Sequence, residues 1–448
     1  MLTANGACAA DLLQVYFDAL AHDAQYSASR AQHEADQEKR IQGRSALLPT
    51  LGVSADALRN DFDVTPKTPV PSQATNYRYS SNSYAVQLNA PLVRLQNWHQ
   101  YKEGELQTEL ADNIFSQETQ DLILRTAEAY FDVLNARDSL RAIVQLRTAA
   151  AEQLELARTS FKVGTVTVTD VHEAQSRFDL ASAQEIAARN TLDVSLEALA
   201  RIIGHSPDEL AGFKPGVMIS PPQPNSINSW VETAEKNHYG VQSKALLREI
   251  AGREHLRARA GHLPTLDLVA SYGRDTRPSA TVERNEGSVV GVMLDIPLYQ
   301  GGYVSSRTRE TAALKLKADS DLEEARRAAA LAAREAYLGV TSGMAQVQAL
   351  EAAKVSSASS LESNRLGYKV GVRINIDVLN AQSQLAETVQ KLSRARYDTL
   401  LAQLRLKAAV GTLSEEDVRA INALLETQNT ASSTQPLSGT RRSFANSE

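Results

Sequence analysis

The chain has 448 residues, 43% hydrophobic but only 5% aromatic, with a net charge of −6. That length allows two or three ordinary domains, yet the Ala-, Gln-, Glu-, Arg- and Leu-rich composition suits long helices packed through small side chains. The acidic balance offers no electrostatic footprint for nucleic acid, and the single cysteine, Cys8, excludes an internal disulfide framework. At the start, "MLTANGACAA" has neither a basic nor an apolar signal region, but Ala7-Cys8-Ala9 forms an A-x-A pattern that can precede cleavage before Ala10. Residues 1–10 are therefore read as the remnant of a signal peptide. Lipid modification of Cys8 is a weaker alternative, because Asn5 stands where such sites favour Leu, and cytoplasmic residence is another.

From Asp11 the first half, residues 11–210, reads as helix, strand, strand, long helix, glycine break, helix. Val86, Leu88 and Ala90 alternate with Gln87 and Asn89, the period of a strand with one apolar face. Pro49 and Pro91, 42 positions apart, suit strand ends better than strand centres. Pro91 to Gly164 covers 73 residues without another proline, on the order of 110 Å as α-helix. Leu154, Ala157 and Phe161 supply the three- and four-residue spacings of lateral helix packing. Gly164 lets the backbone turn back, and Asp170 with Glu173 forms a candidate capping box on the returning helix. A linker at 211–228 follows, carrying the Pro-rich "SPPQPNS" from Ser220 to Ser226.

The second half, residues 229–425, repeats the order. The basic run "GREHLRARAGH" (Gly252 to His262) reads as a solvated helix face. Leu266, Leu268, Ala270 and Tyr272 oppose Asp267 and Ser271; Val290, Val292, Leu294 and Ile296 oppose Gly291, Met293 and Asp295. Pro264 and Pro297 stand 33 positions apart, and either proline interval holds two strands of ~9–11 residues, the length that spans a bilayer. Gly371 breaks the next long helix, and a further helix returns from Asp377 to about Val410. The polar tail, 426–448, is expected to be disordered.

The two halves are copies. An offset of 207 positions pairs Gly164 with Gly371, Asp170 with Asp377, Tyr130 with Tyr337 and Gly204 with Gly411. "LLPTLGVSA" from Leu47 likewise matches "HLPTLDLVA" from His262. The period is too long for a solenoid, so a domain has been duplicated. Four strands cannot close a barrel, and an open sheet with an apolar face cannot sit in lipid. Three copies supply twelve strands, within the range of outer-membrane barrels. The expected fold is thus mainly α with transmembrane β: a duplicated protomer forming, as a homotrimer, a 12-stranded barrel on a long helical tunnel.

Catalytic signatures are missing. Neither His33-Glu34 nor His172-Glu173 continues into H-E-x-x-H, and neither a phosphate-binding G-x-x-x-x-G-K-[ST] loop nor a G-x-S-x-G elbow occurs. No enzyme activity, metal or cofactor is expected. A soluble helical scaffold is the competing class; it accounts for the helices but not for four alternating strands of membrane-spanning length.

"DLLQVYFDAL" (from Asp11), "LLPTL", "IPLYQGG" (Ile296 to Gly302), the paired glycine breaks and "AVGTLSEEDV" (Ala409 to Val418), taken in order, resemble the TolC-like outer-membrane channel family over Asp11 to Leu425. The resemblance implies a trimeric exit duct in the outer membrane of a Gram-negative bacterium, serving type I protein secretion or multidrug efflux. It implies a periplasmic adaptor and an inner-membrane ABC or proton-driven transporter as partners, with lipid around the barrel. Gly164 and Gly371 would mark the periplasmic tips. Tyr368 and Arg373 match residues that bond to the neighbouring tip at Asp170 and hold the entrance shut, and Asp377 matches an acidic ring facing the pore. Asn380 departs from the pattern, since close relatives carry a second Asp there. Val86, Leu88, Val290, Val292, Leu294 and Ile296 would face lipid.

Overall fold

Each half opens with two helices rather than one, broken at Asp23 in the first and at His238 in the second. The computed structural model describes residues 10–64, 75–207, 209–214, 219–276 and 283–425, so Cys8 and the 426–448 tail lie outside it. Helix α1 (Leu12–His22) starts on Asp11, whose carboxylate accepts the Gln14 amide at 2.8 Å. Asp23 ends it and caps α2 (Ala24–Ser45) by accepting the Tyr26 amide at 2.6 Å.

Strands β1 (Thr50–Val64) and β2 (Thr75–Val93) follow, then α3 (Leu95–Lys162) and α4 (Val168–Ile203). The second half runs α5 (Ile227–Asn237), α6 (Tyr239–Arg259), β3 (Thr265–Thr276), β4 (Asn285–Asp295), α7 (Tyr303–Lys369), α8 (Asn375–Ala409) and α9 (Glu415–Asn422). No helix among the described residues is long and apolar enough to cross a membrane. At 68 and 67 residues, α3 and α7 each extend about 100 Å.

The duplication reaches atomic detail. Gly204 (φ +79°) closes α4 and Gly411 (φ +71°) follows α8, both in the left-handed region that glycine enters freely. A Cβ on Gly204 would stand 2.8 Å from the His22 Cβ at the α1–α2 break; one on Gly411 would overlap the Asn237 carbonyl oxygen at the α5–α6 break.

Two compact units emerge. The sheet unit comprises Ser29–Gln117 and Tyr239–Ala328, the helical unit Met1–Ala28, Glu118–His238 and Ala329–Glu448. In the sheet unit four antiparallel strands lie in the order β1-β2-β3-β4, leaving β1 and β4 as edges. Directly paired residues share a face. Leu51–Leu88–Ala270–Val290, Val53–Val86–Tyr272 and Ala90–Leu268–Val292 therefore build one apolar face across the strands. Gly52–Gln87–Ser271–Val289 and Thr50–Asn89–Val269–Gly291 form the opposite, more polar face. The strands outrun their apolar stretches, at 15, 19, 12 and 11 residues. Pro91 lies inside β2, where the register shifts between Pro91 and Val93, so the missing amide falls at a bulge.

At the β2–α3 junction Arg94 makes a two-pronged ion pair with buried Asp267, its Nε donating at 2.8 Å and its Nη2 at 2.5 Å. The basic run on α6 is a set of cross-braces rather than a purely solvated face. Arg257 reaches buried Glu103 of α3 at 2.9 Å, and Glu254 receives Arg307 of α7.

The core of the helical unit gathers Leu12 and Val15 of α1, Leu122, Tyr130 and Leu134 of α3, Ile203 of α4, Leu400 and Leu404 of α8 and Val418 of α9. The equivalent tyrosines of the two halves both hold the connecting segment: Tyr130 donates to the Ala211 carbonyl at 2.7 Å and Tyr337 to the Asn225 side chain at 2.8 Å.

Candidate pore entrance at the two helix turns

The two glycine breaks have one geometry. Gly164 and Gly371 each have φ +78° and each follow the end of a long helix. The Gly164 amide donates to Phe161 and the Thr165 amide to Ser160; likewise Gly371 donates to Tyr368 and Val372 to Gly367. This is the helix-closing pattern that left-handed glycines permit. A Cβ at either would meet nothing within 4 Å, so backbone conformation alone demands glycine.

The returning helices are capped differently. Helix α4 starts on Thr167, whose hydroxyl accepts the Asp170 amide at 3.3 Å while the Asp170 carboxylate accepts the Thr167 amide at 2.8 Å. The capping box is thus Thr167 with Asp170, one turn ahead of the Asp170–Glu173 pair expected from sequence, because the β-branched run before Asp170 offers its own hydroxyl cap. Helix α8 begins at Asn375 on Ile374, which supplies no side-chain cap. Asp377 sits in its first turn, and its nearest cation is Arg373 of the same chain at 3.6 Å. The Arg373 stem lies against Gly367, where a Cβ would come within 2.7 Å of it.

The turns are joined through α8. Leu154 and Ala157 of α3, Ala174 of α4 and Leu379 of α8 form a small buried cluster, with Val171, Phe178 and Ile376 packed on it. Phe161 stays exposed at 46% and takes no part. Buried Gln153 hydrogen-bonds buried Asn375, whose Nδ2 has no partner, and the Gln382 Oε1 is likewise buried and unpaired. Half-buried Tyr368 has its pKa raised, first by burial and then by the nearby charge of Asp170, while a hydrogen bond with Ser160 opposes the shift. The charge of Asp170 thus reaches Tyr368 within one chain. Asn380 accepts from Arg177 of α4 at 2.8 Å. Sequence reasoning missed Arg177; its one available signal is its position two turns after Asp170, on the same helix face.

Of the residues expected on the lipid face, Val86, Leu88, Val290, Val292 and Leu294 share the apolar face of the sheet, and Ile296 stands one position past β4. Val290 and Val292 are 76% and 61% exposed.

Two consecutive stretches, 15–205 and 230–412, match the profile of the outer membrane efflux protein family. The chain belongs to that family. Outer membrane protein TolC of Escherichia coli strain K12 is 33% identical over 431 residues, covering 93% of this chain and 85% of TolC. Alkaline protease secretion protein AprF of Pseudomonas aeruginosa is 33% identical over 428 residues, covering 94% and 89%. Among solved structures, the Campylobacter jejuni CmeC outer membrane channel superposes with a TM-score of 0.79 at 16% identity, covering 95% of each chain. VceC from Vibrio cholerae gives 0.75 at 16% identity, covering 89% and 96%. At that identity the likeness establishes the fold. As a member of the outer membrane efflux protein family, the chain is an outer-membrane exit duct, a passive channel and not an enzyme.

Proposed function

We propose that three copies form one duct, their sheets closing a twelve-stranded barrel in the outer membrane and their long helices a tunnel through the periplasm. The observation that carries this reading is the open sheet, with two unpaired edges and an exposed apolar face. In lipid an unpaired edge costs several kcal/mol per bare polar group, on the order of what no single packing contact returns. Pairing β1 of one copy with β4 of the next removes both edges, sets Val86, Leu88, Val290, Val292 and Leu294 against lipid and leaves Ile296 at the border. Residues 11–210 and 229–425 are then two copies of one repeat joined through 211–228, in keeping with the two profile matches.

The helix turns form the periplasmic entrance, where Tyr368 and Arg373, with Asp170, hold the closed state and Asp377 and Asn380 face the path of cargo. A periplasmic adaptor and an inner-membrane ABC or proton-driven transporter open it. The names of similar proteins include both protease secretion, as in AprF and PrtF of Dickeya chrysanthemi, and efflux, as in BepC of Brucella suis. Cargo of either kind fits the reading.

Protein extracted in detergent from outer-membrane fractions is expected to have three times the 48.7 kDa chain mass and to form channels in planar bilayers. Arg373→Ser with Tyr368→Phe is expected to raise single-channel conductance. A monomer without channel activity sinks the duct; unchanged conductance in the double variant places closure in other contacts.

A further inference from the structure

The segment Glu209–Lys214, which leads out of α4 toward α5, borders a polar pocket of about 270 Å³ in the helical unit. Arg137 and Arg141 of α3, Arg396 of α8 and Lys214 line it, against two carboxylates, Asp138 and Glu209. Four cations and two anions line the pocket, and with Glu351, which pairs with Arg396 from outside the lining, the formal excess is one positive charge. Asp138 is already engaged, accepting the Tyr397 hydroxyl at 2.7 Å with Arg141 at 3.9 Å. Arg396 spends its Nη2 on Glu351 at 2.8 Å, and Lys214 its ammonium on the Ala423 carbonyl at 2.7 Å. Arg137 donates from Nη1 to the Leu210 carbonyl at 2.6 Å, and Gly212 makes room for its Nη2, since a Cβ there would stand 3.0 Å away.

What remains is unusual. The Nε–H groups of Arg137 and Arg396 are both buried and both lack an acceptor. A buried cationic donor left unpaired costs free energy, and native proteins supply such groups with a water or an ion. A water satisfies one donor but leaves the excess positive charge. A guanidinium pair matches an oxyanion in both charge and fork geometry.

We propose that this pocket binds a small oxyanion of the phosphate type, held by Arg137 and Arg396. Its volume suits free phosphate and lies below the range that takes in drug-sized ligands. Bound there, the anion ties the segment between the two repeats to α3 and α8, where Phe213 already stacks on Tyr397 at 5.1 Å. The site lies within one chain and depends neither on trimerisation nor on a conducting pore.

The test is a titration of inorganic phosphate into the detergent-purified protein at constant ionic strength, with chloride as control, read by thermal unfolding and equilibrium dialysis. Saturable binding of one phosphate per chain is expected, with slowed hydrogen exchange over Glu209–Lys214. Arg396→Gln and Arg137→Gln should each weaken it at least tenfold, whereas Arg248→Gln, in an ion pair of the sheet unit, should not. Should Arg137→Gln fail to fold, Ser393→Asp keeps the test decisive. It sets a carboxylate in the same pocket, so it should raise the melting temperature without phosphate and abolish the response to phosphate. An effect no larger than that of chloride, or one that survives both Arg396→Gln and Ser393→Asp, overturns the site.

Discussion

Gly371 and Gly411 share a left-handed backbone and differ in what surrounds them. Alanine at Gly371 meets open space, so the expected cost is the left-handed penalty alone, about 1–2 kcal/mol. At Gly411 the new methyl also strikes the Asn237 carbonyl oxygen, adding a further ~1–3 kcal/mol of overpacking. Thermal unfolding of the two variants side by side checks this, and equal losses would contradict the close approach. At position 380 the contact with Arg177 decides what a substitution does. Three extra carboxylates would strengthen block by polyvalent cations if they stood free, but Arg177 lies 2.8 Å from the Asn380 oxygen and cancels their field. Asn380→Asp alone should therefore leave block in bilayer recordings nearly unchanged, and adding Arg177→Gln should strengthen it. Block rising equally in the single and the double variant would show that Arg177 points elsewhere in the assembled entrance. His99 carries a pH dependence. Burial, and then the charge of Arg253, holds its pKa below the ordinary value. The unfolded chain takes up that proton at about pH 6.5 and the folded one only lower, so stability is full above this range and lost as pH falls through the folded pKa. Stability of His99→Gln should decline less between neutral pH and pH ~5 than that of the parent; parallel decline would remove His99 as the cause.

Among the elements, the sheet faces make the sharpest contrast. Lysine at Val292 or Leu294 puts a charge on the apolar face, at about 2–4 kcal/mol per chain near the bilayer midplane. Lysine at Gly291 or Met293 points to the opposite face and should be tolerated better. Trimer yield on native gels measures the difference, and equal yields would remove the barrel assignment. The faces of β2, β3 and β4 were legible from alternation alone, because one misplaced residue would turn every side chain over. Strand length was not. Beyond Ala57 the β1–β2 ladder continues through Arg78 paired with Asp61 and Asn76 with Asp63, polar rungs that end the apolar face, while Leu58 and Phe62 take up the alternation on the opposite face, so no single hydrophobic period runs the length of the strand. The two long helices and their turns were legible because proline is absent and glycine marks the bend. The cap of α4 was displaced because Thr167 and Asp170 both suit the role, and only the fold decides which hydroxyl or carboxylate meets the amide. Arg177 stayed invisible, since its partner lies 203 positions away on another helix.

For the whole molecule, the internal duplication supplies two strand pairs per chain and leaves one sheet with two bare edges. The same duplication explains why equivalent tyrosines, Tyr130 and Tyr337, converge on the one segment that joins the repeats. The proposed barrel, closed only by a third copy, also has a genetic signature. Every subunit must offer a sound β1 to one neighbour and a sound β4 to the other, so a folded chain with a defective β1 or β4 spoils each ring it enters. With equal amounts of sound and defective chains mixing at random, about one assembly in eight is free of the defect in a closed threefold ring. Coexpressing a Leu294→Lys copy beside the parent gene should thus depress export far below half. A loss of only half would mean that the defective chains are excluded before assembly, and the dominance itself counts the subunits that a cell must place correctly to make one pore.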